Sequence, residues 1–257
     1  MFETIKYETN NNIAWITLNR PDKLNAFTEQ LNKEIEYAVK QASKDKLVRC
    51  LVITGEGRAF SSGQDLEDVL DNPDYGEVLR KRYHPMVLAI DKCKKPIIAA
   101  VNGVAAGAGM SLALACDFRL LSEKASFIQA FIHVGLVPDA GNLYYLPKLI
   151  GHAKALELAI LGEKVTAIEA KELGLATKVI PVDKWTEEIA IFAEKLAARP
   201  TKSIELIKRS LKESWYSPIP EYLEREAQSQ RIAGLTNDHR EGITAFLEKR
   251  NPIFQGK

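Results

Sequence analysis

An apolar run of six residues followed by a glycine-rich turn is the feature that most constrains the fold of this chain. The run covers residues 96–101, Asn102-Gly103 follows it, and Gly107 begins a segment of small residues that is helical in pattern through residue 116. A short, continuous apolar run bounded by turn signals is typical of a strand buried on both faces, as in parallel sheets. Because the first turn of a helix presents free backbone N–H groups, the same segment is a candidate site for a developing negative charge.

The order of predicted elements indicates an α/β core followed by helices. Apolar patterns predict strands at residues 5–8, 13–18, 50–54, 96–101, 118–121 and 177–180. Helical patterns cover residues 28–43, 75–92, 107–116 and 153–161, with Thr28 as a cap for the first and a Thr166-to-Glu169 capping box beginning another. From residue 184 onward three or four more helices are predicted. We therefore divide the chain into an α/β core, residues 1–195, and a helical C-terminal segment, residues 196–257.

Composition and cysteine spacing narrow the class of protein. The 35 basic and 34 acidic side chains nearly balance, which excludes a global field that would attract nucleic acid or an anionic membrane. Residues 1–6 carry no apolar signal segment, and the longest apolar run, about 103–116, is shorter than the roughly 20 residues that span a bilayer. Cys50, Cys93 and Cys116 are odd in number and lack C-x-x-C spacing. We expect a cytoplasmic protein with buried thiols and no metal site.

A second glycine turn, at residues 59–66, leads through Gly63 to Gln64. Two loops that each offer one backbone N–H would together form an oxyanion hole. The alternative explanation for the glycines of residues 103–109 is close packing of a helix on a sheet. Their G-x-x-x-G-x-G spacing does not match a dinucleotide-binding fingerprint, and the chain has neither a Walker A motif nor a G-x-S-x-G nucleophile elbow.

Asp139 lies alone in the longest weakly charged stretch of the chain, between residues 135–138 and residues 140–141. One interpretation is an N-cap for a helix at about residues 143–150. The other is a catalytic base that faces the predicted anion site. The residue pattern by itself leaves both interpretations open.

Four segments of the chain resemble the crotonase (enoyl-CoA hydratase/isomerase) superfamily. They are residues 19–26, 57–66, 96–109 and 241–254, and they occur in the family's order over nearly the whole chain. The resemblance implies an α/β fold built as a spiral of β-β-α units, with a helical C-terminal segment that forms a homotrimer or a dimer of trimers. It also implies acyl-CoA thioester substrates and no metal or separate cofactor.

The resemblance further assigns roles to individual residues. The backbone N–H groups of Gln64 and Ala108 would hold the thioester oxygen, and Lys249 would approach the CoA phosphates of its own or a neighbouring subunit. The remaining contacts to CoA and the acyl group would come from Lys23, Leu24, Ala26, Ser62, Gly63, Asp65, Leu66, Gly107 and Phe131.

The same resemblance bears on which member of the family this is. Hydratases of the family hold a water between two glutamates, and those positions fall here on Ser111 and Phe131, neither of which is a base. Asp139 remains, in a loop similar to that of the ring-opening isomerases of phenylacetate degradation, although Asn142 replaces the glycine usual there. Held among Phe131, Leu136 and Val137, its carboxyl should have a raised pKa through desolvation. Tyr144 and Tyr145, with Phe131, are candidates either for an aromatic acyl pocket or for the core.

We therefore predict an acyl-CoA isomerase in which Asp139 moves a proton and the oxyanion hole stabilises the enolate. Its substrate would be an enoyl-CoA or ring 1,2-epoxyphenylacetyl-CoA. Two alternatives are a 2-enoyl-CoA hydratase of fatty-acid β-oxidation and a catalytically silent acyl-CoA-binding subunit of a degradative complex.

Overall fold

A computed structural model describes residues 2–69 and 74–257, so Met1 of the N-terminal segment considered above lies outside the described residues. In these residues the strands are β1 (Ile5–Asn10), β2 (Ile13–Leu18), β3 (Cys50–Gly55), β4 (Ala59–Ser61), β5 (Ile97–Val101), β6 (Val104–Ala106), β7 (Phe118–Ser122), β8 (Ser126–Ile128), β9 (Lys164–Thr166) and β10 (Lys178–Ile180). The six predicted strands are confirmed within a few residues.

The strands form two sheets. The larger has the order β1-β2-β3-β5-β7-β10 and is parallel except for the β1–β2 hairpin. The smaller has the order β4-β6-β8-β9, with only β9 antiparallel to its neighbour. The sequence patterns gave no prediction of the smaller sheet, because strands of three residues are too short to show a periodicity.

Three successive β-β-α units build the core. The first strands of the units, β3, β5 and β7, are neighbours in the larger sheet, and the second strands, β4, β6 and β8, are neighbours in the smaller one. At the corner between β5 and β6, a Cβ on Gly103 would overlap the carbonyl oxygen of Arg58. Only glycine fits where the chain turns this closely against the preceding unit.

The described residues contain helices between and after these strands. They are α1 (Glu29–Lys44), α2 (Tyr75–Val78), α3 (His84–Asp91), α4 (Ala108–Ala115), α5 (Asn142–Ile150), α6 (His152–Leu161), α7 (Ala167–Glu172), α8 (Trp185–Ala197), α9 (Thr201–Glu213), α10 (Ile219–Gly234) and α11 (Asn237–Leu247). A π-helical turn, Leu79–Tyr83, joins α2 to α3, which accounts for the single helix predicted there. Thr28 caps α1, and the Thr166–Glu169 capping box begins α7, as predicted.

Helices cover both faces of the larger sheet. On one face α4 is buried nearly all round, as its small apolar residues require, in a core shared with α1. On the other face α8 packs through Ile189, Ala193 and Ala197. A boundary after residue 195 would separate α8 from its last buried residue, and the division into two domains stays a prediction.

The C-terminal helices attach to the core through polar contacts. Lys208 on α9 forms a 2.6 Å ion pair with Asp117 and donates hydrogen bonds to the carbonyl oxygens of Cys93 and Lys95. Farther along, Phe246 and Leu247 at the end of α11 are more than 70% exposed. The predicted role of this segment in trimer formation stays a prediction.

Candidate active site

The two glycine turns of the sequence analysis meet at one edge of the smaller sheet. β4 and β6 are parallel neighbours, so the turns that follow them lie at the same end. Gly63 has φ +98°, and a Cβ placed on it would lie 3.0 Å from the carbonyl oxygen of Ala106 and 3.6 Å from the nitrogen of Ala108. The close approach of the two turns therefore depends on glycine at position 63.

Each turn offers one backbone N–H group. Ala108 is the first residue of α4, so its N–H has no acceptor within the helix. On the other turn, Phe27 donates to the carbonyl of Gly63 at 2.8 Å and accepts from the N–H of Asp65 at 2.9 Å. This pairing leaves the N–H of Gln64 on the opposite side of the chain, and within residues 2–69 and 74–257 it has no hydrogen-bond partner. The two N–H groups are thus on turns that lie close together, and their role as oxyanion donors stays a prediction.

Asp139 lies in the loop between a 3-10 helix, Ala130–Val134, and α5. Burial raises the pKa of its carboxyl from the ordinary 3.8 to about 6. Its Oδ1 is buried and has no hydrogen-bond partner among the described residues. A buried carboxylate oxygen without a donor is costly unless it serves a ligand or a reaction.

The N-cap interpretation of Asp139 is wrong. Helix α5 begins at Asn142, its N-cap position is Gly141 with φ +81°, and no side chain among the described residues caps it. The hydrogen bond that Asp139 makes to the helix comes from its backbone carbonyl, which accepts from the N–H of Asn142 at 2.9 Å. The side chain of Asp139 is left for another purpose.

Asp139 and the two turns line one cavity of about 140 Å³. Of the described residues in its wall, Asp139 is the only carboxylate. The cavity brings together the predicted site residues Ser62, Gly63, Gln64, Leu66, Gly107, Ala108, Phe131 and Asp139. Its remaining wall is formed by Tyr75, Val78, Leu79, Tyr83, Ala130, Val134 and Leu136.

Several predicted site residues lie outside the cavity, beside the Gly63 turn. Leu24 accepts a 3.0 Å hydrogen bond from the N–H of Ser62, and Lys23 pairs with Glu67 at 3.1 Å. The Asp65 carboxylate pairs with the guanidinium of Arg20 at 2.9 Å.

Ala26 is buried in the same segment, while Lys249 is exposed at the end of α11. The predicted CoA contacts of Lys23, Leu24, Ala26, Asp65 and Lys249 stay predictions.

The structure corrects one expectation about the neighbours of Asp139 and decides against the acyl-pocket alternative for two tyrosines. Val137 is 76% exposed and does not contribute to the apolar surroundings of Asp139, unlike Phe131 and Leu136. Tyr144 and Tyr145 do not line this cavity. The phenols that do are Tyr75 and Tyr83. The sequence patterns did not identify either one, because nothing in a helical pattern shows which residue will face a distant loop.

Ser111 and Asn142 belong to a buried polar cluster behind the cavity. The hydroxyl of Ser111 donates to the carbonyl of Gly107 at 3.2 Å and accepts from the Asn142 amide at 3.1 Å. Gln129 completes the cluster by donating to the Asn142 side-chain oxygen at 2.7 Å. The cluster links the first turn of α4 to the loop of Asp139.

Within the part of the chain that the structure describes, no group of three or more His, Cys, Asp and Glu side chains could hold a metal ion. The absence of a metal and of a separate cofactor stays a prediction. No helix among those same residues is long and apolar enough to cross a membrane.

The spiral of β-β-α units and the paired N–H donors define an enzyme of the crotonase superfamily. The family model described as enoyl-CoA hydratase/isomerase matches residues 8–257, and the chain belongs to that family. The predicted family and fold class are thereby confirmed.

Two curated relatives and one solved structure show how similar the chain is to known proteins. It is 38% identical over 262 residues to 1,2-epoxyphenylacetyl-CoA isomerase of Escherichia coli (strain K12), with 100% of both chains covered. It is 40% identical over 257 residues to a protein of Rhodobacter capsulatus described as a probable enoyl-CoA hydratase, with 100% of this chain and 99% of the relative covered. The crystal structure of enoyl-CoA hydratase from Bacillus anthracis has a TM-score of 0.92 at 31% identity, covering 99% of this chain and 100% of the other. Because these names differ in reaction, the reaction of this chain has to be argued from its own site.

Proposed function

We propose that this protein is an acyl-CoA isomerase that moves a carbon–carbon double bond by transferring one proton. The observation that carries the proposal is the cavity that Asp139, as the only carboxylate of the described wall, lines together with Gln64 and Ala108. One acid and one oxyanion hole are sufficient for a proton to leave and return on the same face of a substrate.

The reaction begins with the thioester oxygen accepting hydrogen bonds from the N–H groups of Gln64 and Ala108. Asp139 removes a proton from the carbon α to the thioester, and the electron pair of the broken C–H bond delocalises onto that oxygen. Each donor that strengthens as the charge develops lowers the barrier by roughly 3–4 kcal/mol. The protonated Asp139 then gives the proton to the γ carbon, so that a 3-enoyl thioester becomes its 2-enoyl isomer with no atom gained or lost.

The pKa of Asp139, about 6, suits this exchange. The carboxyl is mostly ionised at neutral pH and can accept a proton, yet it is a stronger base than an exposed aspartate. The raised pKa comes from desolvation in the apolar wall to which Phe131 and Leu136 contribute.

Hydration is the second candidate, favoured by the 40% identity to the Rhodobacter capsulatus protein described as a probable hydratase. The site supports it less well, because the two positions that hold glutamates in hydratases of the family carry Ser111 and Phe131. Ser111 is fully buried, with its hydroxyl bonded to Gly107 and Asn142. Phe131 places an apolar ring in the cavity wall, where a reacting water would need polar partners.

The cavity of about 140 Å³ has room for a compact acyl group. Phe131, Val134, Leu136 and Leu79 provide apolar walls for a ring. Together with the similarity to the Escherichia coli isomerase, this supports ring 1,2-epoxyphenylacetyl-CoA as a substrate. In that case the epoxide-bearing ring rearranges to an oxepin as Asp139 moves the α proton to a ring carbon.

Chromatographic separation of the products followed by mass spectrometry tests the proposal, because the isomers themselves have the same mass. The protein is incubated separately with a 3-enoyl-CoA, a 2-enoyl-CoA and ring 1,2-epoxyphenylacetyl-CoA. We expect products of unchanged mass with a shifted double bond, and ring opening of the epoxide substrate without added water. Accumulation of 3-hydroxyacyl-CoA, which is heavier by one water, as the main product would favour the hydratase and contradict the isomerase.

A further inference from the structure

Tyr83 places a buried phenol between the two halves of the candidate active site. It is the last residue of the π-helical turn that joins α2 to α3, and its side chain is only 2% exposed. It lines the cavity with Asp139, and its hydroxyl donates a 2.5 Å hydrogen bond to the side-chain oxygen of Gln64. Single π-helical turns are frequent at functional sites.

The side-chain amide of Gln64 is held on every hydrogen-bonding group. Its nitrogen donates to the carbonyl oxygens of Phe27 and Asp65, both at 2.9 Å, while its oxygen accepts from Tyr83. The amide is therefore folded back over the chain of its own turn. With the side chain engaged, the donor of Gln64 that has no partner among the described residues is its backbone N–H.

The hydrogen bond from Tyr83 to the Gln64 side chain matters because the residue before Gln64 is Gly63. Gly63 has φ +98° and no side chain, so its own packing does little to hold the turn in one conformation. The direction of the Gln64 N–H is set by the backbone hydrogen bonds of Phe27 to Gly63 and Asp65 and, in addition, by the contacts of the Gln64 side-chain amide. Loss of the Tyr83 hydroxyl would leave the Gln64 oxygen buried without a donor, which favours a shift of the turn.

We propose that Tyr83 is a positioning residue for the oxyanion hole. By fixing the Gln64 amide, it aims the Gln64 N–H at the oxygen of the enolate. The inference rests on the proposed function only in taking an enolate thioester as the species that is held. Tyr83 acts through Gln64 and takes no part in the transfer of the proton.

The surroundings of Tyr83 preserve its hydrogen bond to Gln64 when Asp139 gains or loses a proton. Burial and, to a lesser extent, the charge of Asp139 raise the pKa of the Tyr83 phenol well above its ordinary value of 10. The hydroxyl thus stays protonated and remains a donor to Gln64 in both protonation states of Asp139.

A spectroscopic titration tests this role without turnover. A 3-ketoacyl-CoA is bound to the full-length protein, and the enolate fraction is read from its near-ultraviolet absorbance at fixed pH. For Tyr83→Phe we expect this fraction to fall about tenfold, the effect of one misplaced hydrogen bond. The Kd of a saturated acyl-CoA should stay within twofold of the original, and kcat should fall while KM changes little.

Tyr145→Phe is the matched control. It removes a phenol hydroxyl whose 3.4 Å hydrogen bond goes to Asp91, outside the cavity. It should leave the enolate fraction unchanged. Thermal unfolding of both variants shows whether they fold.

A double-mutant cycle tests whether Tyr83 acts through Gln64. In a Gln64→Ala background, which has no side-chain oxygen to hold, Tyr83→Phe should have no further effect. The inference is overturned by an unchanged enolate fraction in Tyr83→Phe, by an equal loss of saturated acyl-CoA binding, or by a full additional effect in the Gln64→Ala background.

The outcome is separable from that of the proposed function. If the original protein hydrates enoyl-CoA and does not isomerise it, but Tyr83→Phe still lowers the enolate fraction, the inference stands and the isomerase proposal fails. If the protein isomerises and Tyr83→Phe leaves the enolate fraction unchanged, only the inference fails.

Discussion

The side-chain amide of Asn142 donates a 3.1 Å hydrogen bond to the hydroxyl of Ser111, and this bond joins the loop of the candidate base to the helix that carries one oxyanion donor. Both residues are fully buried. Asn142 also donates a hydrogen bond from its backbone N–H to the carbonyl of Asp139. This one residue therefore connects the backbone of Asp139 to α4. The geometry of the site thus depends on polar contacts that do not touch the substrate.

Replacing Asn142 with alanine should loosen this link. The hydroxyl of Ser111 and the amide of Gln129 would each lose a buried partner, which should lower the free energy of unfolding by about 1–3 kcal/mol. Activity should fall more than the affinity for a CoA ester, because Asp139 is displaced from the reacting carbon. Urea unfolding and steady-state kinetics measure the two effects, with Asn251→Ala at an exposed position as the control. Equal stability and activity in both variants would contradict the linking role.

Gly63→Ala should separate the two oxyanion donors. A Cβ would lie 3.0 Å from the Ala106 carbonyl oxygen at a residue with φ +98°, so the turn must both strain and move away. We expect kcat/KM to fall by roughly 100-fold, the usual consequence of losing one oxyanion donor.

Gly151→Ala is the control for strain alone, because Gly151 has φ +79° and a Cβ there would meet no atom within 4 Å. It should lose stability but keep its activity. The two variants are compared by kcat/KM and by thermal unfolding. Comparable activity losses in both would show that the close approach of the turns is unimportant.

The rate should depend on pH through Asp139. Because its pKa is raised to about 6, the free enzyme loses its base as the pH falls through that value. We expect kcat/KM to be constant above pH 7 and to fall about tenfold per pH unit well below 6. A profile of kcat/KM between pH 4.5 and 8 checks this, and a midpoint near the ordinary aspartate value of about 4 would exclude the desolvated Asp139 as the base.

The same shift predicts that Asp139 destabilises the folded protein at neutral pH. Its pKa is higher in the folded state than the ordinary 3.8, so folding favours the protonated acid. The free energy of unfolding is unaffected by this cost below about pH 4, where Asp139 is protonated in both states. It falls as the pH rises to about 6, by up to about 3 kcal/mol. Asp139→Asn should therefore unfold at a higher urea concentration than the original protein at pH 7. The difference should shrink at pH 4, and a less stable variant at pH 7 would contradict this account.

The larger sheet and the positions of the two glycine turns could be predicted from the sequence for a physical reason, while the role of the turns as an oxyanion hole came from the resemblance and stays a prediction. Buried parallel strands such as residues 96–101 are continuous apolar runs, and the turns after them need glycine. The smaller sheet was missed because β4, β6, β8 and β9 are three residues each and their pairing is long-range.

The polar contacts around the candidate active site could not be predicted from the sequence, because no local pattern specifies them. Tyr83 reaches Gln64 through helix packing across nineteen residues of chain, and Asn142 reaches Ser111 across thirty-one. The role of Asp139 could not be decided from the sequence either, because its position allowed both an N-cap and a catalytic base. The N-cap interpretation is excluded by the structure, in which Gly141 occupies the N-cap position of α5.

Hydrogen exchange in D₂O measures whether a single acid, Asp139, moves the proton. With a bound enoyl-CoA, the original protein should place deuterium on the α and γ carbons of the thioester. Asp139→Asn should lose this incorporation by at least about 1000-fold, the scale of general acid–base catalysis together with the energy of enolate formation. Its Kd for the CoA ester should stay within a few-fold. Undiminished deuterium incorporation in Asp139→Asn would show that another group is the base and would contradict the account.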